Sequence, residues 1–89
     1  MLEWRGLEVR YSRAAYYEMA RHGLAPFEVI EVLENGFETG RRSEGVVEKC
    51  LRRKKGLLKV VACESRDYSS GENVWVVAHI AVMRSPKRR

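Results

Sequence analysis

The sequence has few of the features that mark membrane segments or exported proteins. It contains no glutamine, two prolines and two cysteines, and no stretch approaches the roughly 18 to 20 uncharged apolar residues that a membrane-spanning helix needs. The N-terminal segment MLEWRGLEVR carries charges where a secretory signal peptide has its apolar region. We therefore expect a cytoplasmic protein that does not associate with membranes.

The two cysteines do not have the spacing of a metal site. Cys50 and Cys63 form no CxxC pair and have no histidine at metal-ligand spacing. The chain also lacks a phosphate-binding loop and a nucleophile motif, so the sequence predicts neither a metal nor a cofactor. A hairpin turning at Gly56-Leu57 would place the two cysteines opposite each other. Because a reducing cytosol disfavours disulfides, we interpret them as small apolar residues on adjacent strands.

The composition is that of one folded domain with a basic surface. The 89 residues are 45% hydrophobic and 33% charged, so we expect a single domain over residues 1–89, with a basic tail at about 84–89. The formal net charge of +5 favours an anionic partner, although a modest excess also serves solubility alone. The scarcity of Gln, Asn and Thr beside abundant Glu, Arg and Lys resembles proteins of thermophiles.

Two helices follow a first strand. LEVRY at 7–11 alternates as a strand does, and Ser12 then has the character of a helix N-cap. The first helix is predicted to end at Gly23. Pro26 suits the first position of a second helix, which ends at Asn35-Gly36. The residues of this second helix expected in the core are Phe27, Val29, Ile30 and Leu33.

Three strands are predicted in the second half of the chain. The segment FETGRRSEG at 37–45 reads as a loop, and two antiparallel strands follow around Lys55-Gly56. VWVVAHIAVM at 74–83 is apolar on both sides, so it should be a central strand. Since the helices cluster first and most strands follow, we predict an α+β fold in which both helices pack on one face of a mainly antiparallel sheet.

A basic cluster surrounds the predicted hairpin. Arg52 and Lys54 would share a strand face, and Lys59 would lie opposite Lys54. Like charges in such a pair repel each other, which favours a bound anion between them. The alternative is a solvated tip whose lysines protect an edge strand.

Two side chains are candidates for proton transfer. His79 interrupts the apolar strand, and histidine is the residue that most readily exchanges a proton at neutral pH. Alternation groups it with apolar neighbours, which favours the alternative of a hydrogen-bonded core residue; these neighbours are Trp75, Val77, Ala81 and Met83. Tyr68, in a loop beside Arg66, is able to stack on a base or donate a proton. His22 is interpreted as a favourable cation at a helix C-terminus.

The stretch YSRAAYYEMARHGLAPFEVIEVLENG, with the basic hairpin and the apolar strand behind it, resembles a small prokaryotic domain family of unknown function. That family is similar in layout to the RelE and BrnT toxins, and the resemblance covers most of residues 7–83. It implies a RelE-like fold, ribonuclease activity on messenger RNA and inhibition by an antitoxin protein. The chain departs from the family pattern at Ala14, where a histidine is common, and at His22, where an arginine is common.

These observations lead to one functional hypothesis and two rivals. The hypothesis is a toxin-type RNA-binding protein or endoribonuclease that cleaves RNA without metal. In it, phosphate is bound by Arg52, Lys54, Lys59 and Arg66, and His79 or Tyr68 moves the proton. One rival is a non-catalytic module that binds nucleic acid or protein. The other is a structural domain that forms homodimers through its strand edges.

Overall fold

A computed structural model describes residues 2–39, 44–54 and 56–84. It has the predicted α+β composition, with two helices and six strands. The elements are β1 (Glu3–Trp4), β2 (Leu7–Tyr11), α1 (Arg13–His22), α2 (Pro26–Asn35), β3 (Phe37–Glu38), β4 (Val46–Arg53), β5 (Gly56–Asp67) and β6 (Glu72–Arg84). Beyond Arg84, the basic tail lies outside the described residues.

The helix ends are fixed by local contacts, as the sequence predicted. The Ser12 hydroxyl accepts the backbone N–H of Ala15 at 3.0 Å, and Gly23 ends α1 in a left-handed conformation with a φ of 65°. At the start of α2, the Glu28 carboxylate accepts the backbone N–H of Ala25 at 2.7 Å. Each helix has ten residues, about half the length needed to cross a bilayer, and the described part of the chain contains no longer one.

The strands form one six-stranded mixed sheet in the order β1-β2-β6-β5-β4-β3. β2 runs parallel to β6, and the other pairs are antiparallel. The central position predicted for the 74–83 strand is confirmed, since β6 lies between β2 and β5. The parallel pair was not predicted, because alternation within a strand carries no information about which strand lies beside it. β1 and β3 were also missed, since each has two residues.

The apolar core joins both helices to the sheet. Val29, Val32 and Leu33 of α2 are fully buried, and Ala15 and Met19 of α1 belong to the same cluster. The sheet residues in this cluster include Val47, Leu58, Val60, Ala62, Val77 and Ile80, which define the core face. One predicted core residue is wrong: Phe27 is 65% exposed. Phe27 lies in the first turn of α2, before Val29, the first buried residue of that helix.

The register of the β4–β5 hairpin differs from the prediction. Arg53 pairs with Gly56 and Cys50 with Lys59, so the strands pair four residues out of the predicted register. The two cysteines are therefore not opposite each other, and both are free thiols. Lys54 lies in the turn and not opposite Lys59. The predicted and observed registers differ by an even number of residues and leave every side chain on the same face, so apolar alternation did not distinguish them.

Candidate functional site

Opposite the core face, the sheet has a second face with both apolar and charged residues. Strand pairing and alternation place these residues together, and the apolar core cluster does not include them. Its members on the three longest strands include Val46, Glu48, Cys50 and Arg52 of β4, Leu57, Lys59, Val61 and Cys63 of β5, and Val76, His79, Ala81 and Met83 of β6.

A β-bulge places His79 on this second face. Val61 pairs with His79 and Ala62 with Val77, so Ala78 is an extra residue in β6. An extra residue reverses the alternation beyond it. Val77 is therefore fully buried, whereas His79 is exposed. The predicted grouping of His79 with Trp75 and Val77 is wrong, and His79 is not a core residue.

Three predicted site residues lie on neighbouring strands of the second face. Lys59 pairs with Ala81 on one side and Cys50 on the other, so His79 and Arg52 are its diagonal neighbours. Such diagonal neighbours lie about 7 to 8 Å apart. Lys59 therefore lies between Arg52 and His79. Arg52 and His79 are not neighbours of each other, since Arg52 pairs with Leu57 and His79 with Val61, four positions further along β5.

The charges of Arg52 and Lys59 are compensated differently. The Lys59 Nζ lies 3.6 Å from a carboxylate oxygen of Glu48, and the Thr39 hydroxyl donates to that same oxygen at 3.1 Å. Arg52 is exposed and has no carboxylate within 4 Å among the described residues. Arg52 is thus the more available cation of the two.

Apolar side chains surround these charges. Phe37 pairs with Cys50, which places its ring on the second face, and it is 51% exposed. Met83 is 40% exposed and pairs with the half-buried Leu57. Exposed aromatic rings on a sheet are the surfaces on which proteins stack single-stranded bases.

The other predicted site residues lie elsewhere. Tyr68 is 89% exposed in the turn after β5, nine positions beyond Lys59, which is about 30 Å along an extended strand. Arg66 pairs with Asn73 near that same turn. Lys54 lies at the opposite end, in the hairpin turn next to β4. Tyr68 and His79 therefore do not serve one site.

Near the turn between β5 and β6, a small ion-pair network joins β2 to β5. Arg10 donates to Asp67 at 2.7 Å and to Glu8 at 3.2 Å. A hydrogen bond from the Ser69 hydroxyl, together with one from Arg10, holds the pKa of Asp67 well below its usual range. These groups satisfy one another, so we assign them a structural role.

Sequence reasoning missed a groove at the hairpin end of the molecule. It lies where the α1–α2 connection meets the β4–β5 hairpin and the end of β6, and has a volume of about 450 Å³. The Arg53 guanidinium donates to Glu28 at 2.7 Å across it, and His22 lies 3.3 Å from Glu18. Alternation along β4 places Arg53 on the face away from Arg52, but its partner on α2 was not predictable from spacing alone.

No protein-family model, curated protein or solved structure matches this chain. The described residues contain no group of three or more His, Cys, Asp or Glu side chains placed to hold a metal ion. The second face and the groove are thus the two features from which a function can be argued.

Proposed function

We propose that this protein is a toxin-type endoribonuclease of RelE-like layout that binds RNA on the second face and cleaves it without metal. Both helices cover the core face and leave the second face open to the ligand. The observation that carries the proposal is the placement of Arg52, Lys59 and His79 on three adjacent strands. The resemblance of the helical segment and hairpin to the toxin-like family supports it.

The electrostatics of the chain favour a polyanion. The net charge is +5, and the exposed Arg52 offers two parallel N–H groups to a phosphate. Lys59 adds a second cation beside it, and Lys54 extends the basic surface toward the hairpin turn. Phe37 and Met83 provide the apolar surface on which bases stack. RNA binding is expected to weaken as salt concentration rises, because phosphate contacts release counterions.

The chemistry that fits this arrangement is transesterification within RNA. His79 takes the proton of a ribose 2′-hydroxyl, and the resulting 2′-oxygen attacks the adjacent phosphorus. The bond between phosphorus and the 5′-oxygen breaks, and the leaving 5′-oxygen takes a proton from water. Lys59, the diagonal neighbour of His79, stabilises the added negative charge on the phosphate oxygens, and Arg52 binds the phosphate of a neighbouring nucleotide. The products are a 2′,3′-cyclic phosphate and a 5′-hydroxyl end.

An antitoxin protein would inhibit by covering the second face. The exposed apolar side chains there, Phe37 and Met83 above all, provide an apolar centre for such an interface, and Arg52 provides a cation at its rim. Acidic side chains on the partner would complement that cation. The homodimer through strand edges stays a prediction, and the edge strands β1 and β3 have two residues each for such pairing.

A non-catalytic RNA-binding module is the second candidate. The observation that favours it is the distance of Tyr68 from His79, which leaves His79 without the tyrosine as a second proton-transfer group. The carboxylate of Glu48 on the second face already contacts Lys59 and accepts from Thr39. The same cations and apolar surface would then hold RNA without breaking it.

The deciding experiment is incubation of end-labelled single-stranded RNA with the protein at low salt in EDTA. Wild type is compared with Arg52→Ala, His79→Ala and the control Arg66→Ala, each checked for folding by circular dichroism. We expect Arg52→Ala to weaken RNA binding about tenfold, the equivalent of one lost charge-assisted contact. We expect His79→Ala to abolish cleavage and leave binding intact, and Arg66→Ala to match wild type.

The outcomes separate the two candidates. Binding without cleavage by wild type would make the protein a binding module. If RNA did not bind at all, or if Arg66→Ala weakened binding as much as Arg52→Ala, the second face would not be the interface.

A further inference from the structure

The groove at the hairpin end has the size and lining of a small-ligand site. Its volume of about 450 Å³ lies within the roughly 300 to 1,000 Å³ typical of such sites. Apolar side chains line part of it, among them Leu24, Leu58 and Val82. The described lining also includes Leu57, two glycines and four polar side chains: His22, Glu28, Arg53 and Lys54.

The charges of the described lining residues favour an anion. Arg53 and Lys54 are cations, and Glu28 is the one acidic residue among the described groups that line the groove. The Glu28 carboxylate already accepts from the Ala25 backbone N–H and from Arg53, and both contacts lower its pKa. It therefore neutralises Arg53 only, and the Lys54 charge has no carboxylate within 4 Å in the described part of the chain.

Arg53 has hydrogen-bonding capacity that the described residues do not use. Its Nη2 donates to Glu28, whereas its Nη1 is buried and has no partner among the residues that the structure describes. Buried donors in proteins are almost always paired. The Arg53 side chain is 34% exposed, so a change of rotamer would turn this donor toward an acceptor in the groove.

His22 also lines the groove and is exposed. Its Nε2 lies 3.3 Å from a Glu18 oxygen one helical turn earlier in α1. This contact limits the orientations of the imidazole ring. His22 thus offers a positioned polar group beside the two cations.

We propose that this groove binds a small organic anion, a phosphate or carboxylate carried on an apolar body. The anionic group lies between Lys54 and Arg53, and the apolar body packs on Leu58 and Val82. Lys54 and Leu57 border both this groove and the RNA-binding surface proposed above. The two sites are nevertheless distinct, because Arg53 and Leu58 lie on the core side of the sheet and Arg52 on the second face. The groove site therefore does not depend on the RNA proposal.

The test is titration of the ¹⁵N-labelled full chain with three probes, followed by NMR. Phenyl phosphate and benzoate each carry an anion on an apolar ring, and inorganic phosphate carries none. We expect at least one of the first two to shift the amide signals of Gly23, Leu24 and Gly56 in a saturable way. Inorganic phosphate should bind at least tenfold more weakly. The stronger of the two organic probes identifies the anion class.

Variants locate the site. Lys54 is exposed in a turn, so Lys54→Ala should fold and should weaken binding at least fivefold. Arg53→Gln keeps a donor to Glu28 and should also weaken binding. The control Arg66→Ala removes the same charge far from the groove and should bind as wild type does. Arg52→Ala, which is expected to weaken RNA binding, should leave probe binding unchanged.

Three results would overturn the proposal. These are the absence of saturable shifts with both organic probes, an unchanged affinity in Lys54→Ala, or shifts confined to residues of the second face.

Discussion

The side chains on the two faces of β5 differ in their exposure to solvent. Leu58, Val60 and Ala62, which point to the core face, are at most 2% exposed. Their immediate neighbours on the second face, Lys59 and Val61 among them, are half-buried. Because successive side chains of a strand point to opposite faces, β5 contributes alternate residues to a packed surface and to an accessible one.

This difference separates stability from binding. The buried residues of the described chain are all apolar, so the core face carries the hydrophobic free energy of folding. The second face carries charged and polar side chains, including Arg52, Lys59 and His79, that packing does not require. Side chains that the fold does not need are the ones free to serve a ligand.

The largest expected effect comes from placing the same charge on each face. Val60→Asp would bury an unpaired carboxylate at a fully buried position, and we expect it to lower the free energy of unfolding by about 3 to 5 kcal/mol or more. Val61→Asp, one residue along on the second face, should cost about 1 kcal/mol or less. Urea denaturation measures both. Equal losses in the two variants would show that both faces are covered.

Substitution of the two cysteines tests whether burial is uniform across the second face. Cys50 is 2% exposed although it lies on that face, and the hydroxyl of Thr39, which follows β3, lies 3.6 Å from its sulfur. We expect Cys50→Ala to lower the free energy of unfolding by about 1 kcal/mol, as loss of one buried heavy atom does. Cys63→Ala, at a half-buried position of β5, should change it by less than about 0.5 kcal/mol. A larger loss at Cys63 would contradict the open character of the second face.

The smallest expected effect concerns the pH dependence at Asp67. Hydrogen bonds from Ser69 and Arg10 lower its pKa in the folded state, so its stabilising effect is present above the unfolded pKa of about 3.9 and is lost as pH falls toward the folded value. The difference in Tm between wild type and Asp67→Asn should therefore be largest near pH 6 and should shrink below about pH 4. Glu34→Gln, at an exposed position of α2, serves as the control. A difference in Tm that stayed constant with pH would contradict the role given to Asp67.

The elements were predictable where their signals are local. The ends of α1 and α2 depend on Ser12, Gly23 and Pro26, each of which acts within a turn of its own position. The central strand was predictable because β6 is apolar on both sides. For the candidate site, alternation alone was enough to place Arg52 and Lys59 on a common face.

The bulge and the groove were not predictable in this way. Nothing in the local sequence marks Ala78 as an extra residue. The bulge lies where Ser12 contacts β6: the Ser12 N–H donates to the Val77 carbonyl and its hydroxyl to the Ala78 carbonyl. Likewise, Arg53 meets Glu28 only because α2 lies against the hairpin. Contacts between residues 25 or more positions apart, such as Arg53 and Glu28, produce no periodic pattern in the sequence.

The sequence by itself determined the α+β composition, the two capped helices, the apolar central strand and the basic character of the chain. These follow from short-range periodicity, capping and charge. Only the tertiary structure decided the hairpin register, the parallel pairing of β2 with β6, the exposure of His79 and the joining of Arg53 to Glu28. The physical reason is that these features arise from contacts between distant segments, whose relative placement is selected by the packing of the whole core.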